Sequence, residues 1–340
     1  MDQNLKNKII YALEKLPTDL RDFSHHKNFG TLGASQLPVN DFTIYDSFQY
    51  TVVRGDTLSA IAYRFGFSLS QILIANPKIT DPNKIYVGET ITIPERPRMI
   101  LNQLDLDFCT AFTTAELQYA LFGVPIDPLY QMAKIKEIRG EYTQYGASLR
   151  DACASAVTYG SLPLVLGPYT HNGSATDKTR DFLANWLNWP IGLDKTALKY
   201  KDMSYFTVDG IYDVFDNIRS MLQIHLQERR GVTFGLYWHD EWTEAPGGVI
   251  PIIMPTDTPG GPHDMAVIGQ KTINGVLYLV FQQTWGLTAG DNGRYYFPRE
   301  IVDLCSREGY GAFILSRIDK SGVTGFGWLV GLITSLFNHA

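Results

Sequence analysis

Cys109 has the side chain of a nucleophile, and its place in the sequence can activate it. It stands directly before ThrAlaPheThrThrAlaGluLeu, part of a run that predicts a helix over 110–121, stopped by Gly123. A helix N-terminus stabilises a thiolate, and a thiolate attacks a carbonyl carbon when a base is within reach. Taken alone, one cysteine before a helix is more often a buried structural thiol. Cys153 and Cys305 lie far away, and an odd total of three predicts no disulfide framework and no CxxC metal site.

The segment around Cys109 resembles the active-site cysteine segment of the papain-like peptidases. It reads AsnGln at 102–103, then LeuAspLeuAspPhe, Cys109 and ThrAlaPhe, and it is closest to bacterial forms with GlnGly before Cys-ThrAlaPhe. The resemblance implies that Cys109 is the nucleophile. It also implies that the side-chain amide of Gln103 donates to the developing oxyanion, together with the Cys109 backbone N–H.

Two later segments resemble the other catalytic segments of that family. ProGlyGlyProHisAspMetAlaValIleGly at 259–269 resembles its histidine strand, which nominates His263 as the base. ValPheGlnGlnThrTrpGly at 280–286 resembles its Asn-Ser-Trp-Gly segment, which places Gln283 where an asparagine orients the histidine. The implied reaction is peptide-bond hydrolysis through a thioester, with no cofactor and no metal.

Several departures from the family pattern bear on activity. Gln283 is one methylene longer than asparagine, although its amide offers the same donor and acceptor groups. Asp264 follows the histidine where a small residue is usual. The Cys-Gly-Ser-Cys-Trp pattern is absent, and with it the usual disulfide and tryptophan. A descendant that keeps the fold without the activity is therefore the alternative to an active enzyme.

Residues 50–94 form a self-contained block whose apolar pattern predicts a βααβ unit. Asp56 or Thr57 can cap its first helix, and a return strand carries Ile91 and Ile93. A unit of about 45 residues buries little core by itself. GlyAspThrLeu, IleAla, PheGly, AsnPro and ValGly-x-x-Ile-x-IlePro all stand at the spacing of a LysM domain, so the block resembles that family nearly end to end.

The LysM resemblance implies binding of glycans that contain N-acetylglucosamine, such as peptidoglycan or chitin. In the family, the sugar lies in a shallow groove between the first turn and the loop after the second helix, where mostly backbone groups bond the acetamide. A LysM fold that serves purely as a scaffold is the alternative. The positions carried over are Gly55, Asp56, Thr57, Leu58, Asn76, Pro77 and Ile79.

The rest of the chain predicts an α+β domain, because helices come mostly early and strands mostly late. LeuProValAsnAspPhe at 37–42 resembles the start of a mature papain-like domain. The predicted fold is therefore a papain-like cysteine peptidase fold with a small βααβ LysM module inserted into it. The predicted boundaries are 1–48 for an N-terminal helix and the start of the peptidase-like domain, 49–95 for LysM, 99–318 for the peptidase-like domain and 319–340 for an apolar C-terminal segment.

Charge and hydropathy exclude several partners. The net charge of -6 and the lack of a basic cluster argue against nucleic acid, and Arg229-Arg230 is interpreted as the solvated end of a helix over 211–228. No apolar run reaches the ~18 residues of a membrane helix, and the N-terminus has helical spacing in place of a signal peptide. We expect a protein that is cytoplasmic when made and then virion-associated or released to the cell wall.

Two functions remain open at this point. The first is a cysteine hydrolase, tethered to the cell wall by LysM, that cleaves peptidoglycan stem peptides or wall-associated protein. The second is a weak or inactive component of a bacteriophage virion or baseplate, which uses both folds as a scaffold and contacts other subunits through 319–340. A third possibility, a cell-wall peptidase of a different thiol clan, is disfavoured by Gln103 and the tryptophan segment.

Overall fold

The computed structural model describes residues 37, 40–208, 213–253, 255–256, 260–308 and 311–316. The predicted N-terminal helix over 1–16 and the apolar segment 319–340 lie outside these residues. Among the described helices, none alone is long and apolar enough to cross a membrane, and one pair passes that test only jointly, with a bend of 102° between its members.

The helices lie mainly before the long strands, as the sequence predicts. Short 3-10 turns occur at Leu164–Leu166, Trp186–Asn188, Leu198–Tyr200, Leu226–Glu228, Pro246–Gly248 and Ser306–Glu308. The α-helices span Leu58–Arg64 (α1), Leu69–Ala75 (α2), Cys109–Phe122 (α3), Pro128–Arg139 (α4), Leu149–Thr158 (α5), Asp177–Ala184 (α6), Leu193–Ala197 (α7), Val214–Ile224 (α8), Asp240–Thr243 (α9) and Arg299–Cys305 (α10).

The strands form one large antiparallel sheet and one small hairpin-like pair. They span Phe42–Thr43 (β1), Phe48–Thr51 (β2), Thr90–Ile93 (β3), Ser204–Thr207 (β4), Val232–Trp238 (β5), Gly261–Ile273 (β6), Val276–Gln282 (β7), Arg294–Pro298 (β8) and Ala312–Ser316 (β9). Within the described residues, the large sheet runs β4-β9-β5-β6-β7-β8, and β1 pairs with β6. An AsnGly turn joins β6 to β7, with positive φ at both Asn274 and Gly275.

Helix α3 lies between two hydrophobic cores. Leu117 and Ala120 belong to the core that packs α8 and α10 against the sheet. Ala111 and Phe112 belong to a second core, built with α4, α5 and α6. A helix packed on both sides has little freedom to move, so its first residue, Cys109, is held where the two cores meet.

The block at 50–94 has the predicted βααβ order, with β2 and β3 paired around α1 and α2. Thr57 caps α1, and Ser68 caps α2 in a capping box with Gln71. Strand β1 precedes this block in sequence, yet it pairs with β6 of the large sheet. The chain therefore contacts the large sheet before it enters the block and returns to the same domain afterwards.

The arginine pair after α8 is buried, so the interpretation of a solvated helix end is wrong. Arg229 and Arg230 are 1% and 3% exposed. Arg230 pairs with Asp202 at 2.9 Å, and Arg229 donates to the backbone carbonyl of Ile44 at 2.8 Å. Burying a guanidinium without such partners is costly, so a charged pair after a helix does not by itself indicate solvent.

Other elements differ from the prediction in their bounds, or were not predicted. Helix α8 begins later than the predicted 211, because Asp213 adopts a left-handed conformation before it. Helix α4 was not predicted, although Asp127 as N-cap, Pro128 at the first position and Gly140 after the end are the usual boundary signals.

Candidate active site

Cys109 is the first residue of α3, and its side chain is fully buried. Burial raises the pKa of the thiol far above its usual range, and the nearby carboxyl of Asp264 raises it further. A hydrogen bond with the Asp264 backbone acts in the opposite direction but is the weaker effect. In this conformation burial therefore favours the protonated thiol over the thiolate.

His263 lies near the start of β6 and is oriented by Gln283 at the end of β7. Its Nε2 is hydrogen-bonded to Oε1 of Gln283, and its ring stacks on Trp285 with centroids 4.7 Å apart. Burial lowers the pKa of the imidazole to about 4, against the effect of the Gln283 hydrogen bond. Because a carbonyl oxygen only accepts, Nε2 carries the proton and Nδ1 carries the lone pair.

Nδ1 of His263 is buried and has no hydrogen-bond partner among the described residues. A hydrogen bond from Cys109 is therefore not formed in this conformation. The two residues are nevertheless adjacent, because the thiol contacts the backbone of Asp264, the residue next to His263. A neutral imidazole with a lone pair on Nδ1 can accept a proton from a thiol that turns towards it.

Gln103 is fully buried, and both the nitrogen and the oxygen of its side-chain amide form hydrogen bonds. Its Nε2 donates to the carbonyl of Leu106 at 2.9 Å, and its Oε1 accepts from the Thr284 hydroxyl at 2.6 Å. The backbones also pair, since Gln103 N donates to Thr284 O at 2.8 Å. Thr284 N in turn donates to Oε1 of Gln283 at 3.1 Å. Thr284 therefore links the predicted oxyanion donor to the side chain that orients the histidine.

Two carboxyl groups are buried where α3 packs against β6, Glu116 on α3 and Asp264 on β6. Asp264 accepts from the Thr233 hydroxyl at 2.7 Å, and its other oxygen has no partner among the described residues. Burial raises its pKa well above the ordinary value. Glu116 accepts from Leu101 N at 2.8 Å, and burial raises its pKa to about 8. Near neutral pH, Glu116 is therefore mostly protonated, and burial favours the neutral form of Asp264 as well.

The segment between Gln103 and Cys109 is held by ionic contacts that the sequence did not reveal. Asp105 accepts from Ala175 N at 2.7 Å and contacts Nε2 of His171 at 2.5 Å. Asp107 lies 3.2 Å from Nε of Arg180. These contacts tie the segment to α6 and to the loop before it. The partners lie some 70 residues away in sequence, so no local pattern could have identified them.

The predicted glycan-binding positions belong to the block at 50–94, and several of their side chains already have partners within it. Asp56 accepts from Tyr50 and from Val53 N, at 2.7 and 2.9 Å. Asn76 donates to Ile72 O and Thr92 O and accepts from Thr92 N, all at 2.8 Å. Gly55, Thr57, Leu58, Pro77 and Ile79 are the remaining predicted positions. Sugar contacts at Asp56 and Asn76 would therefore involve their backbone groups, which leaves the binding prediction open.

Within the described part of the chain, no group of three or more His, Cys, Asp or Glu side chains could hold a metal ion. The cysteines at 109, 153 and 305 are all buried, and no disulfide joins them. The candidate site thus consists of protein side chains from α3, β6, β7 and the segment before α3.

The LysM domain model matches residues 50–94. A secreted LysM effector from Passalora fulva is 44% identical over 48 residues, which cover 14% of this chain and 21% of that protein. An endolysin of Bacillus phage B103 is 46% identical over 48 residues, covering 14% of this chain and 18% of that protein. The chain thus matches about a fifth of the length of these relatives. Residues 50–94 are a LysM domain, as predicted.

Solved structures similar to most of this chain are papain-like cysteine proteases. Xylellain, a cysteine protease from Xylella fastidiosa, superposes with a TM-score of 0.60 at 16% identity, covering 92% of this chain and 97% of its own. ProCathepsin B S9 from Trypanosoma congolense gives 0.56 at 13%, covering 92% and 86%. Digestive procathepsin L2 from Tenebrio molitor larval midgut gives 0.54 at 13%, covering 93% and 81%. The predicted combination of a papain-like fold and a LysM domain is confirmed.

Proposed function

We propose that the chain is a cell-wall-directed cysteine peptidase that cleaves peptide bonds in peptidoglycan or in wall-associated protein. The observation that carries the proposal is the hydrogen bond between Nε2 of His263 and Oε1 of Gln283, because it places the lone pair on Nδ1, which accepts no hydrogen bond from the described residues. LysM domains bind glycans that contain N-acetylglucosamine, which supports the choice of substrate. The papain-like fold supports the choice of reaction.

In the proposed reaction, Nδ1 of His263 accepts the thiol proton while the Cys109 sulfur attacks the peptide carbonyl carbon. The oxyanion accepts hydrogen bonds from the Cys109 backbone N–H and from the second Nε2 hydrogen of Gln103. His263 then donates its new proton to the leaving amine, and a thioester remains on Cys109. Water hydrolyses the thioester, with His263 again accepting a proton, and the free thiol is restored.

The buried state of the pair sets a condition on this reaction. Cys109 and His263 are both fully buried, so a peptide can reach the sulfur only after the groups that cover it move. The raised thiol pKa supports a resting state in which both partners are neutral. Substrate binding would then open the site and bring the sulfur to Nδ1.

The experiment measures new amino groups released from purified peptidoglycan and from a soluble stem peptide by the full chain. Cys109→Ala should reduce both rates at least about 10³-fold, because the nucleophile is lost. Cys153→Ala replaces another buried helix cysteine and should retain activity. Cleavage that is equal in the wild type and in Cys109→Ala would contradict the proposal.

A second candidate is an inactive structural component, such as a phage virion protein, in which the peptidase-like fold is a scaffold. The complete burial of Cys109 and the unformed thiol–imidazole hydrogen bond favour it. This candidate predicts that the wild type pulls down with peptidoglycan yet releases no amino groups from any peptide. Release that depends on Cys109 would exclude it.

A further inference from the structure

The geometry points to a LysM domain that is held in a fixed orientation against α3, the helix that carries Cys109. The preferred substrate is then a peptide covalently attached to the glycan that the LysM domain binds. This inference rests on the proposed function. A freely tethered module would favour any peptide near the wall. A fixed module favours only peptides that reach the thiol from a sugar bound at one set position.

The first contact that fixes the LysM domain lies where the chain enters and leaves it. Arg229 donates to Ile44 O at 2.8 Å and to Pro94 O at 2.5 Å. Ile44 precedes the LysM domain and Pro94 is its last residue, so one side chain bonds to the chain where it enters the domain and where it leaves it. The segments before and after the LysM domain also bond to each other, because Arg96 N donates to Tyr45 O at 2.8 Å.

The second contact is the guanidinium of Arg96, which bonds to the C-terminal ends of both α1 and α3. Arg96 is 4% exposed, and its Nη2 donates to Phe65 O at 2.5 Å, at the end of LysM helix α1. Its Nη1 donates to Tyr119 O at 3.1 Å and also to Ala120 O, in the last turn of α3. Cations stabilise helix C-termini, and one cation here serves both helices. Cys109 is the first residue of α3, so the glycan module and the nucleophile are attached to opposite ends of one rigid element.

The third contact is a close backbone approach between two glycines. Gly66 and Gly123 both have positive φ, at 66° and 72°. A Cβ on Gly66 would lie 2.4 Å from Phe122 O, and one on Gly123 would lie 2.7 Å from Gly66 O. Side chains at these positions would therefore force the module and α3 apart.

An aromatic ring completes the junction. The guanidinium of Arg96 lies 4.8 Å from the centroid of Phe67, and that of Arg229 lies 5.7 Å from the same ring. Burial lowers the pKa of each arginine to about 10, so both remain charged at neutral pH. Two buried cations that each donate to backbone carbonyls and lie over the same ring fit a permanent contact better than a transient one.

The test compares kcat/KM for a peptide linked to an N-acetylglucosamine oligosaccharide with kcat/KM for the same peptide free in solution, and for the free peptide with free oligosaccharide added. The ratio of linked to free cancels differences in active fraction between preparations. Arg96→Met keeps the length and apolar contact of the side chain but removes the donors. We expect it to lower the ratio at least about 10-fold while the free-peptide rate stays within about twofold, since effective concentration depends on geometry.

Gly123→Ala should lower the same ratio by separating the two backbones, and it provides an independent variant if Arg96→Met does not fold. Lys84→Ala removes an exposed LysM cation and should leave the ratio unchanged. NMR relaxation should give LysM amides the same correlation time as the large sheet in the wild type and a shorter one in the variants. Free-peptide cleavage with a ratio near one, or an unchanged ratio in both variants, would overturn the inference. Absence of any cleavage would instead count against the proposed function.

Discussion

The LysM domain and the candidate active site are built in opposite ways. In LysM, the residues at the predicted sugar groove come from one stretch of 45 residues, and their side chains bond to groups inside that stretch. At the candidate active site, Gln103, Cys109, His263 and Gln283 come from three separate segments, and polar atoms remain buried without partners among the described residues. The LysM residues are consistent with a preformed surface, whereas the active-site residues are consistent with a resting state that must rearrange.

Among the variants that probe this contrast, Asn76→Ala should have the largest effect, and it tests whether the LysM domain depends on one side chain whose hydrogen bonds are all local. It removes three hydrogen bonds, each contributing about 1 kcal/mol, which together correspond to more than about 10²-fold in local unfolding. Hydrogen exchange of residues 50–94 measures this opening. Asn76→Asp keeps the acceptor for Thr92 N and should give an intermediate result. Wild-type protection in Asn76→Ala would show that these bonds do not stabilise the domain.

Gln283→Ala should lower kcat/KM about 10²-fold, because His263 loses the partner that fixes its orientation. The measurement is steady-state cleavage of the soluble stem peptide. Gln283→Asn shortens the side chain by one methylene and should fall between the alanine variant and the wild type. An alanine variant with full activity would mean that packing on Trp285 alone orients the ring.

Thr284→Val should lower kcat/KM about 10-fold, which is less than the loss of an oxyanion donor itself. The substitution keeps the shape of the side chain but removes the hydroxyl that orients Gln103. Thr284→Ser restores the hydroxyl and should restore the rate. Alkylation of Cys109 by iodoacetamide should be unchanged in both variants, since that reaction forms no oxyanion. Slower alkylation in Thr284→Val would indicate a general disturbance of the site.

The pH dependence of alkylation tests the resting state itself. Burial raises the thiol pKa, so the reactive thiolate is absent at low and neutral pH, and the alkylation rate should rise only in the alkaline range. The lowered pKa of His263, about 4, means that no imidazolium is present at neutral pH to stabilise a thiolate. Mass spectrometry distinguishes Cys109 from the cysteines at 153 and 305. A plateau already reached near pH 6 would reveal a preformed ion pair and contradict this description.

The same contrast explains what could be predicted from the sequence. The LysM fold follows from local signals, such as Thr57 and Ser68 as helix caps, and it was predicted with its elements in the observed order. Helix α3 also followed from its helix-like run and from the glycine that stops it, and the order of helices before strands was predicted as well. The resemblance identified Gln103, Cys109, His263 and Gln283 as catalytic residues, and their roles stay predictions.

The unpredicted features depend on tertiary burial. A sequence does not show that Arg96 and Arg229 become buried where the LysM domain meets the rest of the protein. Their partners are backbone carbonyls of residues far away in sequence. The contacts of Asp105 with His171 and of Asp107 with Arg180 likewise join residues far apart in sequence. Arginine pairs and linker arginines are usually solvated, so the pattern favoured the wrong interpretation.

The most direct measurement is the intact mass of the protein after incubation with a stem-peptide substrate and an acid quench. We expect a covalent adduct of the acyl fragment, located by proteolysis on the peptide that contains Cys109. The adduct should be absent in Cys109→Ala and should accumulate more slowly in Gln283→Ala. Substrate turnover without any adduct on Cys109, and undiminished in Cys109→Ala, would contradict the assignment of this residue as the nucleophile.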